Sequence, residues 1–157
     1  NPECQLVGVF DKTLCPVFAE ILERLGRDRA WVVNGSTADG RVVDEMSLMG
    51  PTLVCKSGCD QGQEEEEVTP SDFGLPQADV EDLKGGDAAE NAIILEDILS
   101  GRETGPKRDM VLLNAAAAMA CAGLAAHIED GLEIAREVIT DGGALERLRL
   151  LQQHAKN

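Results

Sequence analysis

Aromatic residues are scarce in this sequence. Its 157 residues include one Trp, three Phe and no Tyr, so that aromatics make up only 3% of the chain. The hydrophobic core must therefore come from Leu, Ile, Val and Ala. With 43% hydrophobic and 27% charged residues, the composition is ordinary for a globular protein and excludes wholesale disorder. The length predicts one domain that spans residues 1–157.

Positive charge is also in short supply. Fourteen Lys and Arg residues stand against 29 Asp and Glu residues, which gives a formal net charge of −15. This sign of charge repels nucleic-acid phosphates and anionic membranes, so neither is an expected partner. If the ligand is itself an anion, a divalent cation is the obvious bridge between it and the protein.

The sequence lacks a convincing membrane-spanning run and a regular cysteine framework. The longest nearly apolar stretch, residues 110–126, is rich in Ala and is interrupted by Asn114, so it falls short of a membrane span. Five cysteines, an odd number at irregular spacing, argue against disulfide bonds and for a reducing compartment. We therefore expect a cytoplasmic protein.

The patterns of zinc sites and of nucleophilic catalysis are missing as well. Cys55 and Cys59 could suggest a metal site, but no second cysteine pair exists, and the only histidines, His127 and His154, lie far along the chain. Zinc is disfavoured, and free thiols are the better interpretation. The other cysteines are interpreted as small apolar fillers: Cys4, Cys15 and Cys121. Without a Ser-His-Asp arrangement or a G-x-S-x-G motif, covalent catalysis is not supported.

The first part of the chain predicts a strand, a helix and a second strand. Residues 5–10 form a short apolar run, and apolar residues then recur at spacings of three and four from Leu14 to Leu25. Gly26 suits the end of this helix. Residues 30–33 form the second strand. This order is typical of a layered α/β domain in which the two strands are parallel.

Two further strands are predicted at residues 52–56 and 64–69. The second contains four consecutive glutamates, Glu64 to Glu67, which could be a functional acidic patch. We favour a solvated edge strand, because charge there discourages pairing with another chain. Residues 70–82 are predicted to be loop.

The remainder of the chain predicts helices. Asp87 and Glu90 have the spacing of a capping box, and an apolar stripe then continues to Gly101. Residues 108–122 predict a helix buried in the core, followed by amphipathic helices at 129–140 and 144–154. The predicted fold class is α/β, with a central mostly parallel or mixed sheet, flanking helices and a helical carboxyl end.

Two short segments are candidates for binding an anion or a cation. Lys84 to Asp87 (KGGD) open a helix whose N–H groups could meet a phosphate, although Asp87 as a cap already occupies that position and a tight turn is favoured. Asp44 and Glu45 are adjacent carboxylates. On a regular strand they would point to opposite faces, whereas in a loop or at a strand end both could converge on one Mg²⁺ ion. Solvated loop charges remain the alternative.

Several segments together resemble the carboxyl-terminal half of anthranilate phosphoribosyltransferases, in the superfamily that also contains the pyrimidine nucleoside phosphorylases. The likeness covers nearly the whole chain, and no single motif carries it. The matching segments are Asn1-Pro2, QLVGVFD (5–11), AEILERLGRDRAWVVNG (19–35), VDEMSLMGPT (43–52), VTPSDFGL (68–75), KGGDAAENAIILEDILSG (84–101) and RDMVLLNAAAAMACAG (108–123).

The resemblance implies a metal role for the carboxylate pair. In the family, the residues that match Asp44 and Glu45 coordinate Mg²⁺ on the pyrophosphate of phosphoribosyl pyrophosphate. The implied reaction transfers the phosphoribosyl group to anthranilate and releases pyrophosphate. This chain departs from the family pattern at Asn34, where members usually have His, and in the loop from Gly35 to Val43, which is a few residues longer.

The resemblance also implies that the chain is part of a longer protein. The glycine-rich pyrophosphate loop, the anthranilate-contacting residues and most of an amino-terminal helical domain are expected before Asn1, and the parent is expected to be a homodimer. We expect the isolated chain to be inactive. The alternatives are a pyrimidine nucleoside phosphorylase of the same superfamily and an α/β module with a structural role only.

Overall fold

A computed structural model describes residues 2–58 and 62–155. Within them the elements follow the predicted order. The strands are β1 (Cys4–Gly8), β2 (Arg29–Ser36), β3 (Val42–Val43), β4 (Thr52–Gly58) and β5 (Glu64–Val68). The helices are α1 (Leu14–Arg24), α2 (Ala88–Leu99), α3 (Pro106–Ala122), α4 (Ile128–Thr140) and α5 (Gly143–His154).

The strands form one mixed sheet, which confirms the predicted fold class. Its order is β1-β2-β4-β5, with the short β3 paired to β2. Strands β1 and β2 are parallel, as predicted, and the other pairs are antiparallel. The sequence did not predict β3, which has only two residues.

The glutamate-rich strand β5 lies at an edge of the sheet, as predicted. Its outer residues are exposed, and Lys56 on β4 pairs with Glu66 at 2.5 Å while its ammonium lies 4.8 Å from the ring centre of Trp31. The predicted loop after β5 contains two short 3-10 helices, Pro70–Phe73 and Val80–Leu83.

The two faces of the sheet pack against different helices. Alternate β2 residues point to opposite faces: Val32 joins a cluster with Cys15 and Ala19 of α1, whereas Val33 joins the main cluster with α3 and α4. On α3, Leu112, Leu113, Ala116 and Ala117 are at most 1% exposed. The prediction of a buried helix here is confirmed, although Val111 on the same helix is 37% exposed.

Capping explains where several helices begin and end. Asp87 Oδ1 accepts hydrogen bonds from the N–H groups of Ala89 and Glu90, both at 2.9 Å, and Glu90 Oε2 accepts one from the Asp87 N–H at 2.9 Å. The predicted capping box is therefore confirmed. Gly26 and Gly101 end α1 and α2 with φ values of +75° and +74°, a conformation that suits glycine. None of the helices in these described residues has both the length and the apolar character needed to cross a membrane.

Candidate functional site

The carboxylate pair lies at the end of a strand. Asp44 and Glu45 directly follow β3, and residues 44–51 form no helix and pair with no strand. Both side chains are exposed. This is the backbone setting in which neighbouring side chains can reach one ligand, in contrast to a continuous strand.

Two glycines let the backbone of the pair approach the sheet closely. A Cβ atom added to Gly8 would lie 1.5 Å from the Asp44 carbonyl oxygen, and one added to Gly35 would lie 2.4 Å from the Glu45 carbonyl oxygen. No side chain fits in either gap. The pair therefore lies at the carboxyl ends of the parallel strands β1 and β2, the edge at which open α/β sheets bind their ligands.

The long loop between β2 and β3 closes on itself. Arg41 Nε donates to both carboxylate oxygens of Asp39 at 3.1 Å, and the Arg41 N–H donates to the Thr37 hydroxyl at 2.9 Å. The hydrogen bonds from Arg41 and then Thr37 lower the pKa of Asp39 to about 2. Gly40 turns the chain with a φ of +84°. The loop thus returns the chain to β2, where β3 pairs with it and Asp44 follows.

Asn34, where the resembling family usually has His, ties the two parallel strands together. Its Nδ2 donates to the Val9 carbonyl oxygen at 2.7 Å, and the residue is 6% exposed. In this chain the position therefore fixes the end of β2 beside the end of β1, next to the carboxylate pair.

The residues after the pair are anchored by side chains from other elements. The Met46 N–H donates to Asn114 Oδ1 and Asn114 Nδ2 donates to the Met46 carbonyl, both at 3.0 Å. Ser47 Oγ donates to the Ser36 carbonyl at 2.7 Å. In the sequence, Asn114 stands out only as an interruption of an apolar run. One polar side chain next to a run of alanines, on a helix predicted to be buried, was the pattern that could have predicted a buried hydrogen-bonding role for Asn114.

The charge of the pair is not compensated by its described surroundings. Among residues 2–58 and 62–155, neither carboxylate makes a hydrogen bond or an ion pair. Partial desolvation, and then the negative charge of Asp44, raise the pKa of Glu45 above its usual value of 4.5. A bound cation would relieve both effects.

The donor set fits Mg²⁺ shared with a substrate better than a metal enclosed by protein. In the part of the chain that the structure describes, no group of three His, Cys, Asp or Glu side chains is placed to hold a metal ion. Mg²⁺ is commonly held by one or two carboxylates together with the phosphates of a substrate, and it keeps several waters. Two adjacent exposed carboxylates match that pattern. The metal role of Asp44 and Glu45 nevertheless remains a prediction.

Glu45 also lines a cleft of about 710 Å³ between the 41–49 segment and α2. We refer to it as the α2 cleft. Its walls are largely apolar, and three basic side chains line it: Arg41, Lys84 and Lys107. Lys84 pairs with Glu81 at 3.4 Å and Lys107 Nζ donates to the Asp82 carbonyl at 2.6 Å. These basic side chains thus share the walls of the cleft with Glu45 and Glu81.

The other candidates from the sequence do not join this site as ligands. The Gly86 N–H donates to Asn91 Oδ1 at 2.9 Å, and Asp87 caps α2, so the KGGD segment is the tight turn that was favoured. Cys55 is 1% exposed and burial raises the pKa of its thiol to about 12, which makes it a poor metal ligand. Cys59 lies outside the described residues.

Comparison with known proteins identifies the family. The family model for the a/b domain of the glycosyl transferase family matches residues 1–145. The chain belongs to this glycosyl transferase family. Curated relatives include the anthranilate phosphoribosyltransferases of Rubrobacter xylanophilus, 48% identical over 92% of this chain, and Haloferax volcanii, 44% identical over 90%. The resemblance stated from the sequence is confirmed, and these names favour it over the nucleoside phosphorylases.

Solved structures of anthranilate phosphoribosyltransferases share the fold of this chain. Anthranilate phosphoribosyltransferase from Thermus thermophilus matches 90% of the chain with a TM-score of 0.79 and 38% identity. The Saccharomyces cerevisiae enzyme in complex with PRPP and Mg matches 93% with a TM-score of 0.77 and 26% identity. The chain spans only 41% of the length of both curated relatives, and 40% and 41% of these two structures.

Proposed function

We propose that this chain is the magnesium-binding α/β part of an anthranilate phosphoribosyltransferase. The full protein would transfer the phosphoribosyl group of phosphoribosyl pyrophosphate to anthranilate, in tryptophan biosynthesis. The observation that carries the proposal is the uncompensated pair Asp44 and Glu45, held at the carboxyl ends of two parallel strands. The names of the relatives supply the substrate class.

The chemistry explains why a chain without a nucleophile or a histidine base would suffice for this role. The departing pyrophosphate accumulates negative charge as its bond to the ribose breaks. When bound, Mg²⁺ neutralises that charge without any proton transfer. Asp44 and Glu45 would hold the ion from the protein side, and the glycines beneath them let their backbone lie close to the sheet. The acidity of the chain then favours the cation, which in turn carries the anionic donor.

The test is the Asp44→Asn substitution in the complete enzyme. Removing one carboxylate should raise the Mg²⁺ concentration needed for half-maximal rate and weaken use of the donor, by about tenfold or more. Anthranilate binding should change far less. Steady-state kinetics as a function of Mg²⁺, donor and anthranilate concentration measure all three.

The matched control is Glu133→Gln. Glu133 is an exposed carboxylate on α4 and belongs to none of the contacts that anchor the pair, so its loss should leave the Mg²⁺ dependence near wild type. An unchanged donor KM and kcat across Mg²⁺ concentrations in Asp44→Asn would reject the proposal. We expect no turnover by the 157 residues alone, because they span 41% of the relatives' length.

A further inference from the structure

The position of the carboxylate pair depends on a segment without regular secondary structure. Residues 44–51 belong to no strand, and separate hydrogen bonds fix the later part of their path, such as the one from the Ala78 N–H to the Leu48 carbonyl at 2.9 Å. Steric fit against Gly8 and Gly35 sets how closely Asp44 and Glu45 can approach the sheet. It does not stop the segment from lifting away. Something must hold it down from the other side.

Asn114 provides that hold through a two-point contact with Met46. Its carboxamide accepts from the Met46 N–H and donates to the Met46 carbonyl, both at 3.0 Å. This copies the paired hydrogen bonds of an antiparallel ladder, with a side chain in place of a second strand. Since Met46 directly follows Glu45, the contact fixes the carboxyl end of the pair.

The scaffold behind Asn114 is rigid. Asn114 lies mid-way along α3, flanked by Leu113, which is 1% exposed, and followed by Ala116 and Ala117, which are fully buried. Its Nδ2 also donates to the Met110 carbonyl one turn back, at 3.1 Å, and this bond orients the carboxamide. Asn is a poor helix former, and it is followed by a run of alanines, so its place here is explained by its partners rather than by the helix.

We infer that Asn114 is a positioning residue for the metal site. By clamping Met46 it holds Asp44 and Glu45 in the arrangement that binds the cation, although it does not itself touch the ion. Outer-shell groups that orient ligands commonly contribute about 10-fold to 100-fold to metal affinity. The inference rests on the proposed metal role of the pair, and the experiment separates the two.

The test measures Mn²⁺ binding to the complete enzyme that contains these residues, in the presence of inorganic pyrophosphate. The electron paramagnetic resonance signal of free Mn²⁺ reports binding, after subtraction of the Mn²⁺ that pyrophosphate holds without protein. Asn114→Ser is the main variant. A serine hydroxyl in a helix can donate to the carbonyl one turn back, so the bond to Met110 has a replacement while both bonds to Met46 are lost. Asn114→Ala removes all three bonds. Both variants should weaken Mn²⁺ binding by a similar factor, about tenfold.

The matched control is Ser57→Ala. Ser57 is 6% exposed and its hydroxyl donates to the Ala19 carbonyl at 2.9 Å, at the opposite end of β4 from the site. This variant loses a buried side-chain bond and should lower the Tm, yet its Mn²⁺ affinity should stay within about twofold of wild type, since no group near the pair changes. The Tm of every variant is measured alongside.

Each outcome bears on a different statement. Weaker Mn²⁺ binding in both Asn114 variants and in Asp44→Asn, with Ser57→Ala unaffected, supports the inference. If Asp44→Asn weakens binding while Asn114→Ser and Asn114→Ala do not, the positioning role is wrong and the metal role stands. If the complete wild-type enzyme binds no Mn²⁺, or Asp44→Asn has no effect, both statements are overturned. Should Asn114→Ala fail to fold, Asn114→Ser decides alone.

Discussion

At the scale of single residues, Gly8 is the position where the site tolerates the least change. A Cβ atom added to Gly8 would lie 1.5 Å from the Asp44 carbonyl oxygen. That oxygen belongs to the backbone, so no side-chain rotation can relieve the clash. Glycine is required at position 8 because it has no side chain. Its backbone conformation is not left-handed, so φ does not explain the requirement.

Gly8→Ala should therefore destabilise the fold by about 1–3 kcal/mol or more through overpacking, and it should displace the 44–47 segment. Urea unfolding measures the cost. Gly143→Ala is the matched control: the nearest obstacle there is the movable Asp141 carboxylate at 3.0 Å, and Ala favours a helix by up to about 1 kcal/mol over Gly. A Gly8→Ala variant as stable as Gly143→Ala would contradict the close approach.

Glu45 would link the proposed metal binding to pH and to stability. Its pKa is raised in the folded chain, so the native state holds the proton more tightly than the unfolded state does. Stability attributable to this group therefore rises as the pH falls through the raised pKa and is lost as the pH rises. At neutral pH, ionised Glu45 therefore slightly lowers the free energy of unfolding of the metal-free chain.

Glu45→Gln should consequently raise the Tm of the metal-free chain at neutral pH, and on the proposed metal role it should also weaken Mn²⁺ binding. The gain should be below about 1 kcal/mol, because the side chain is exposed and solvent screens its charge. It should vanish as the pH falls below the usual Glu value of 4.5. Thermal unfolding in a chelator at several pH values measures the effect. A variant less stable than wild type at neutral pH would show that the carboxylate has a stabilising partner.

At the scale of elements, small residues bring α3 and α4 into close contact. A Cβ atom added to Gly131 would lie 2.8 Å from the Ala116 carbonyl oxygen and 3.0 Å from its Cβ atom. The pair of small residues lets the two helices approach closely, and it keeps α3, which carries Asn114, pressed onto the sheet.

Gly131→Ala should destabilise the chain by about 1–3 kcal/mol, even though the same change in an exposed helix stabilises it by up to about 1 kcal/mol. Urea unfolding curves measure the change in the free energy of unfolding and its sign. Gly143→Ala again supplies the comparison on a neighbouring helix. An increase in stability in Gly131→Ala would mean that the helices can separate at little cost.

The sequence predicted elements whose signals are local, and missed those whose signals are distant. The period of apolar residues located α1, and the Asp87-Glu90 spacing located the start of α2, because both patterns lie within a few residues. Strand β3 escaped notice because its two residues pair only after the 37–41 loop closes. The Asn114 contact escaped because its partner is 68 residues away.

At the scale of the whole molecule, the main feature is a net charge of −15 on 157 residues. Like charges repel one another, and this repulsion opposes the compact state. It is concentrated on β5, where Glu64, Glu65 and Glu67 are exposed at the sheet edge. The same repulsion protects that edge from pairing with other chains.

Salt should therefore stabilise the chain. Between about 0.01 M and 0.15 M ionic strength the Debye length falls from about 30 Å to about 8 Å, so the urea midpoint should rise with NaCl. The double substitution Glu64→Gln and Glu65→Gln should raise the midpoint at low salt and reduce its salt response. If the midpoint falls with added NaCl in wild type, attractive ion pairs outweigh the repulsion.

The bond between Met46 and Asn114 also has a consequence for the order of assembly during synthesis. A ribosome releases the two acidic residues long before it makes the asparagine that steadies them, because 68 positions separate its ends. The residues before α3 can form α1 from local signals, but the segment that carries Asp44 and Glu45 lacks its Asn114 contact until α3 emerges and docks. A cation bound at the proposed site would therefore stabilise only the finished domain.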